Sequence, residues 1–374
     1  MKVMMIIKEK GNISITSKTV VGGTERFAQL MMLNNPSIIL TEIPTIISKS
    51  KKTKNFIEQN IIQHKPDLIV SHLDEKSLTI NLLKYDIPHI WILNTPIIRT
   101  IIQYELMHYI NDYISQGGNL YFVSELQYDY FNEMHKRIMK TNLKQIRGYI
   151  SPCYSLEEWD SSNDKCEYDL VTVGRNAVEK NPFLLHQKAK DTKFTSLVIT
   201  NTLPFLKNNS YANKNTHWKF PQDIIYDLPH DQVIHNLRKG KVFVSTMPEE
   251  SWGITALEAL CNGLPCILFY DKEKRHASEI IADSKNDYRL LSKKCCKKEF
   301  EDVVSEMIYY ADKNREDISL RHRKKHSKEK WIKNMNDIFK VNTMYYHMDE
   351  LYDKVGFFCR SEEHTSELQS QSTI

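Results

Sequence analysis

The sequence predicts an α/β protein made of two doubly wound halves that face a central cleft. Three observations carry that expectation. Short apolar runs rich in Ile and Val alternate with helical patterns, the rhythm stops at a polar stretch near residue 151 and restarts near residue 169, and 374 residues exceed what one core ordinarily holds. Continuous apolar strands between helices mean parallel sheets covered on both faces.

In the first half the runs VMMII, SIIL, DLIVSH, HIWILN and LYFVSE read as strands, with TERFAQLMML and KNFIEQNIIQH as helices between them. They define an N-terminal domain over residues 1–150. Residues 151–168 are polar and rich in turn formers, which marks a linker. The second series, DLVTVGR, SLVITN, DIIYDLP, VFVSTM and CILFY, defines a C-terminal domain over residues 169–315. Beyond about Lys298 no strand is expected. KEFEDVVSEMIYYADK reads as one helix and Glu316 to about His347 as another, within a helical section over residues 316–359. The run RHRKKHSKEK, Arg321 to Lys330, falls inside the second helix; a solvated face and a phosphate-binding face are the two readings of it. The stretch RSEEHTSELQS reads as a translated sequencing adapter, so residues 360–374 are treated as an artefactual tail.

Composition excludes several classes. A net charge of +4 with 26% charged residues of both signs gives no overall field for a polyanion. The seven cysteines contain no Cys-x-x-Cys pair, which points to free thiols in a reducing compartment. The start MKVMMIIKEKG is too short in its apolar run for a signal peptide or a membrane span, so a cytoplasmic location is expected. No G-x-G-x-x-G element supports hydride transfer. No Asp-x-Asp is present to hold a divalent ion, and Ser251 lacks the glycines of a nucleophile elbow.

Ligands of doubly wound sheets sit outside the carboxyl ends of the strands, so the loops there hold the candidates. The run VFVSTM ends near Met247 and a helix starts near Ile254, which leaves Pro248 to Gly253 as such a loop. Glu250 then points into the cleft, Gly253 turns the backbone into the helix, and the helix N-terminus offers N–H groups to phosphate. Glu258, in the second turn, has the chemistry to accept two hydrogen bonds from a vicinal diol. From spacing alone, both glutamates could equally solvate the helix. Gly174 ends an earlier strand, and Arg175 and Lys180 follow it five residues apart, as a clamp for a diphosphate or as an ordinary surface pair. Gly22 and Gly23 precede another helix start, where backbone N–H groups can cradle a phosphate or sugar.

These residues resemble the signature of the retaining glycosyltransferases of the two-Rossmann-domain (GT-B) type known as glycosyltransferase family 4. Glu250, Gly253, Glu258, Ala259, Gly263 and Pro265 stand at its Glu, Gly, Glu and A-x-x-x-G-x-P places; Arg175, Lys180 and Pro182 match its G-R…K-x-P element; Gly22, Gly23, Glu25 and Arg26 match its G-G-x-E-R opening. The resemblance covers roughly residues 2–315. It implies that Glu250 contacts the donor sugar and Glu258 the nucleotide ribose, and that Arg175 and Lys180 bind the diphosphate. Gly22, Gly23, Gly174, Ser251, Trp252, Gly253 and Ile254 complete the implied donor site. Where the family commonly has a His, this chain has Asn94 and Thr95; His72, close to Asp74, either takes over that positioning work or is structural.

The implied function is metal-independent, cofactor-free transfer of a hexose from a nucleotide sugar, UDP-glucose being the type expected, with retention of configuration. A glycan is the expected acceptor. Two alternatives stand beside it. One is a hydroxymethylated pyrimidine of phage DNA, for which HKRIMKTNLKQIRG, His135 to Gly148, would supply a basic edge. The other is a non-catalytic nucleotide-sugar-binding protein on the same scaffold.

Overall fold

The chain is described from a computed structural model, over residues 1–8, 31–32, 35, 38–43, 51–72, 82–93, 100–139, 146–149, 165–176, 180–201, 223–248, 250, 252–271 and 284–344. Each apolar run becomes a strand. In the first half these are β1 (Val3–Lys8), β2 (Ile38–Ile43), β3 (Leu68–Ser71), β4 (His89–Leu93) and β5 (Asn119–Phe122). The helices α1 (Lys51–His64), α2 (Thr100–Ser115) and α3 (Glu125–Met139) lie between them. A further strand, β6 (Ile146–Tyr149), was not expected from the sequence. It falls at the sheet edge, beside β5 alone, where one covered flank suffices and no long apolar run is needed.

The second half repeats the plan with β7 (Tyr168–Val173), β8 (Ser196–Thr200), β9 (Ile224–Tyr226), β10 (Gly240–Ser245), β11 (Cys266–Tyr270) and β12 (Tyr288–Ser292). Its helices are α4 (Leu184–Ala189), α5 (His230–Arg238), α6 (Ile254–Cys261) and α7 (Lys297–Lys325). The strand β12 also escaped the sequence reading, because YRLLS carries only two apolar aliphatic residues.

Both sheets are parallel throughout, in the orders β2-β1-β3-β4-β5-β6 and β12-β11-β10-β7-β8-β9. Strands β3, β4 and β8 are buried at every position, which is why each reads as a run centred on consecutive apolar residues. In each sheet the order reverses once, at β1/β3 in the first and at β7/β10 in the second. A crevice opens at such a reversal, because the loops leaving the two strands turn to opposite faces.

One correction concerns the C-terminal helices. Two helices meeting near residue 316 were expected, whereas α7 runs unbroken through that point to Lys325, and residues 328–344 form a separate helix, α8. Arg315 anchors the continuous stretch by donating to the Gly240 and Arg238 carbonyls at 2.8 and 2.6 Å. The break falls at Ser327, whose hydroxyl accepts from Lys330 N at 3.4 Å, an N-cap at the start of α8. Helix α8 then returns to the first sheet: Trp331, Met335 and Phe339 join a buried apolar cluster that contains Val3 and Met5 of β1 and Val171 of β7. Asn342 Nδ2 donates to Tyr121 Oη at 2.8 Å and Asn35 Nδ2 to Asn336 Oδ1 at 3.2 Å, so polar contacts tie the chain's two halves as well. Among the described residues no helix is long and apolar enough to cross a membrane.

Candidate functional site

The switch point of the second sheet lies between β7 and β10, and the described second-half candidates follow the carboxyl ends of those two strands. After β7, Gly174 N still donates to Ile199 O at 3.0 Å, and Asn176 N donates to Asn201 Oδ1 at 2.8 Å, which holds the departing loop against the end of β8. Arg175 between them is exposed. Thr246 Oγ1, just past β10, donates to the Lys180 carbonyl at 2.7 Å. Among the described residues, a Cβ placed on Gly174 would touch only Lys180 Cβ and Pro182 Cβ, at an ordinary 3.8 Å.

Across the crevice the Lys180 ammonium pairs with the Glu250 carboxylate, two groups 70 residues apart in sequence. Both are partly covered, with side-chain exposures of 24% and 15%. The cation read as a diphosphate ligand and the acid read as a sugar ligand are thus in one place, each satisfying the other.

Gly253 makes the turn from this loop into α6. Its φ of 88° and ψ of 62° lie in the left-handed region, which a side chain disfavours. The first intrahelical bonds run to its carbonyl, from Ala256 N at 3.0 Å and Leu257 N at 3.1 Å. The N–H groups of Ile254 and Thr255 consequently have no carbonyl ahead of them within the helix, and they form the electropositive end of α6. Trp252 is buried and meets the His326 ring edge-on, centroids 6.5 Å apart, where α7 ends. Ser251 lies outside the described residues.

Helix α6 is enclosed, with every residue from Ala256 to Cys261 buried. Glu258 is among them, 4% exposed. This removes the reading in which it solvates a helix face, since a buried carboxylate is costly unless paired. Its partner is a residue the sequence reading missed: His230, the first residue of α5, whose Nε2 lies 2.7 Å from Glu258 Oε1. Nothing local in the sequence links a histidine to an acid 28 positions later. Only the adjacency of the α5 and α6 starts brings them together.

On the first sheet, His72 follows β3 at the β1/β3 switch point and is 5% exposed. Burial lowers its pKa to about 3, so it is a neutral imidazole. The remaining first-half candidates, Gly22, Gly23, Glu25, Arg26, Asp74, Asn94 and Thr95, lie outside the described residues. Of the basic stretch from His135 to Gly148, His135 is buried and Lys136 and Arg137 are exposed with Arg137 paired to Glu133, β6 occupies its end, and residues 140–145 lie outside the described residues. Nor is the run from Arg321 a plain solvated face. Arg321 and His322 both bind the fully buried Asp287, at 3.0 and 2.9 Å, and Arg323 donates to the Cys261 carbonyl at 3.0 Å. The run begins as an internal clamp of α7 on the second sheet, and it ends exposed.

Residues 156–325 match the family model described as Glycosyl transferases group 1. No curated protein sequence matches the chain. Among solved structures, HepE of Anabaena in complex with UDP superposes with a TM-score of 0.62 at 11% identity, covering 91% of this chain and 100% of that one. Sucrose-phosphate synthase from Thermosynechococcus elongatus gives a TM-score of 0.66 at 10% identity over 91% of this chain and 99% of that one. A variant of S. aureus TarM, solved with fondaparinux, α-GlcNAc-glycerol and UDP, gives 0.52 at 15% identity over 73% and 55% of the respective chains. At these identities the likeness shows the fold: two Rossmann-like domains in the GT-B arrangement.

Proposed function

We propose that the chain is a glycosyltransferase that moves a hexose from a nucleotide sugar to an acceptor hydroxyl with retention of anomeric configuration, in the manner of glycosyltransferase family 4. The observation that carries the reading is the convergence of Lys180, Glu250, the α6 N-terminus and the buried Glu258 on one switch-point crevice. The family-model match over residues 156–325 spans the same elements. UDP is the donor nucleotide we assign, on the strength of HepE and TarM having been solved with it.

In this reading the diphosphate lies against Lys180, the exposed Arg175 and the N–H groups at the start of α6. Those groups stabilise the charge that grows as the bond from the anomeric carbon to the phosphate oxygen breaks. Glu250 holds sugar hydroxyls and Glu258 holds the ribose. The acceptor oxygen attacks from the same face, bonds to the anomeric carbon, and gives its proton to the departing diphosphate oxygen. No enzymic nucleophile enters, and cationic side chains with a helix dipole take the electrostatic work that a metal ion performs elsewhere. His72, neutral at physiological pH, serves in positioning on the acceptor side.

A glycan is the acceptor we assign. Modified viral DNA stands second; among the described residues its motivating stretch offers Lys136 and Arg137 as exposed cations. The described cysteines, Cys166, Cys261, Cys266, Cys295 and Cys296, are free thiols, which suits a cytoplasmic enzyme. The test is turnover of the Arg175→Ala and Lys180→Ala variants with a labelled nucleotide sugar. Loss of one charge-stabilising donor lowers kcat by about 10² to 10³. Full activity in either variant would remove the diphosphate site from this crevice.

A further inference from the structure

The buried Glu258–His230 contact defines more than a local ion pair. A carboxylate only accepts hydrogen bonds, so at 2.7 Å from Oε1 the His230 Nε2 must carry the hydrogen. The donated bond fixes which way the carboxylate faces and leaves Oε2 to accept from another group. The two side chains are 21% and 5% exposed, so the imidazole is partly open to solvent and the acid is covered. His230 opens α5 just after β9, and Glu258 sits one turn into α6 beyond β10. Both residues are therefore at the carboxyl edge of the second sheet, where the nucleotide end of a donor would lie.

Resting on the reading of Glu258 as the ribose ligand, we propose that His230 is a positioning residue that orients this carboxylate on the ribose diol and makes the site selective for ribonucleotides over 2′-deoxyribonucleotides. Two features of the pair argue for this. A rotatable Glu side chain loses conformational freedom when it binds a diol, and a partner that already holds one oxygen has met that cost before the ligand arrives. A fixed, buried acceptor left without its 2′-hydroxyl is penalised more than a mobile exposed one, which is how a polar site rejects an analogue lacking one hydroxyl.

The test compares binding of UDP, GDP and ADP with their 2′-deoxy counterparts by calorimetry, in the wild type and in His230→Ala, His230→Gln and Glu258→Ala. The nucleotide bound most tightly by the wild type is carried through. The expected result is a wild-type preference for the ribo form of about tenfold or more, the scale of one hydrogen bond to a charged group. His230→Ala reduces that ratio towards unity by weakening the ribo form and relieving the penalty on the deoxy form, and His230→Gln restores most of it, because its amide N–H can take the place of Nε2–H. In the Glu258→Ala background, His230→Ala has no further effect on the ratio. In steady-state transfer the His230→Ala variant raises KM for the donor and leaves kcat near its original value. A ratio unchanged by His230→Ala in a wild type that does discriminate overturns this inference and leaves the Glu258 reading standing. A wild type that binds ribo and deoxy forms equally, or binds none of them, overturns both.

Discussion

Replacing Glu250 by Gln should tighten the binding of a nucleoside diphosphate while abolishing sugar transfer. Lys180 is paired with Glu250, so an arriving diphosphate competes with that carboxylate for the same ammonium. Coulomb attraction of such a pair at an effective dielectric of about 20 is about 4 kcal/mol at roughly 4 Å. Desolvation and side-chain ordering take back most of it, and fully exposed pairs retain about 1 kcal/mol or less. With exposures of only 24% and 15%, this pair should retain about 1 to 2 kcal/mol. Removing the competing charge while keeping the side-chain shape then tightens UDP binding by about five- to thirtyfold. Calorimetry with UDP measures it, and the Lys180→Ala background supplies the control, since there the gain should vanish. A diphosphate affinity that is unchanged or weaker in Glu250→Gln would refute the reasoning. The intact donor behaves oppositely, because its sugar hydroxyls use the carboxylate that the diphosphate displaces. The exchange also suggests how spent nucleotide leaves: once the sugar has gone, Glu250 returns to Lys180.

Acid should destabilise the protein well above the carboxylate range. His72 and His89 are buried with pKa values lowered to about 3 by desolvation, against about 6.5 in an unfolded chain. Between those values the unfolded state holds protons that the folded state lacks, so stability falls with pH from about 6.5 downward, by about 1.4 kcal/mol per unit for each imidazole, and levels off near pH 3. Urea midpoints measured between pH 7 and 4 check this, and a flat profile over that interval would contradict it. Gly263→Ala should destabilise by about 2 to 3 kcal/mol, because a Cβ there meets the Arg315 carbonyl oxygen at 2.3 Å and φ is +77°. A lowered urea midpoint at unchanged slope is the expected reading.

The strands were legible where burial on both faces demanded a run of aliphatic residues, as in LIV of β3 and LVI of β8. Edge strands are under no such demand, and IRGY of β6 and YRLLS of β12 passed unnoticed for that reason. The break between α7 and α8 had a local signal in Ser327, but the charged run around it masked the signal, since the inward partners of Arg321, His322 and Arg323 lie on other elements. At the site, Gly253 could be read directly, because a turn into a helix requires a left-handed residue. Glu258 could be placed on α6 but not judged buried, since burial depends on what surrounds the helix on every side. His230 could not be found at all: no spacing rule joins residues brought together only by the order of strands in a sheet.

The proposed reaction in the crevice between β7 and β10 is sugar transfer with retention of configuration. Its most direct test is incubation of the protein with labelled UDP-glucose and other nucleotide sugars and a panel of glycan and hydroxymethylated-DNA acceptors, with the new linkage read by proton NMR. An α-linked product from an α-linked donor, lost on replacing Lys180 or Glu250, is the predicted result. A β-linked product, or tight nucleotide binding with no turnover on any acceptor, would contradict it.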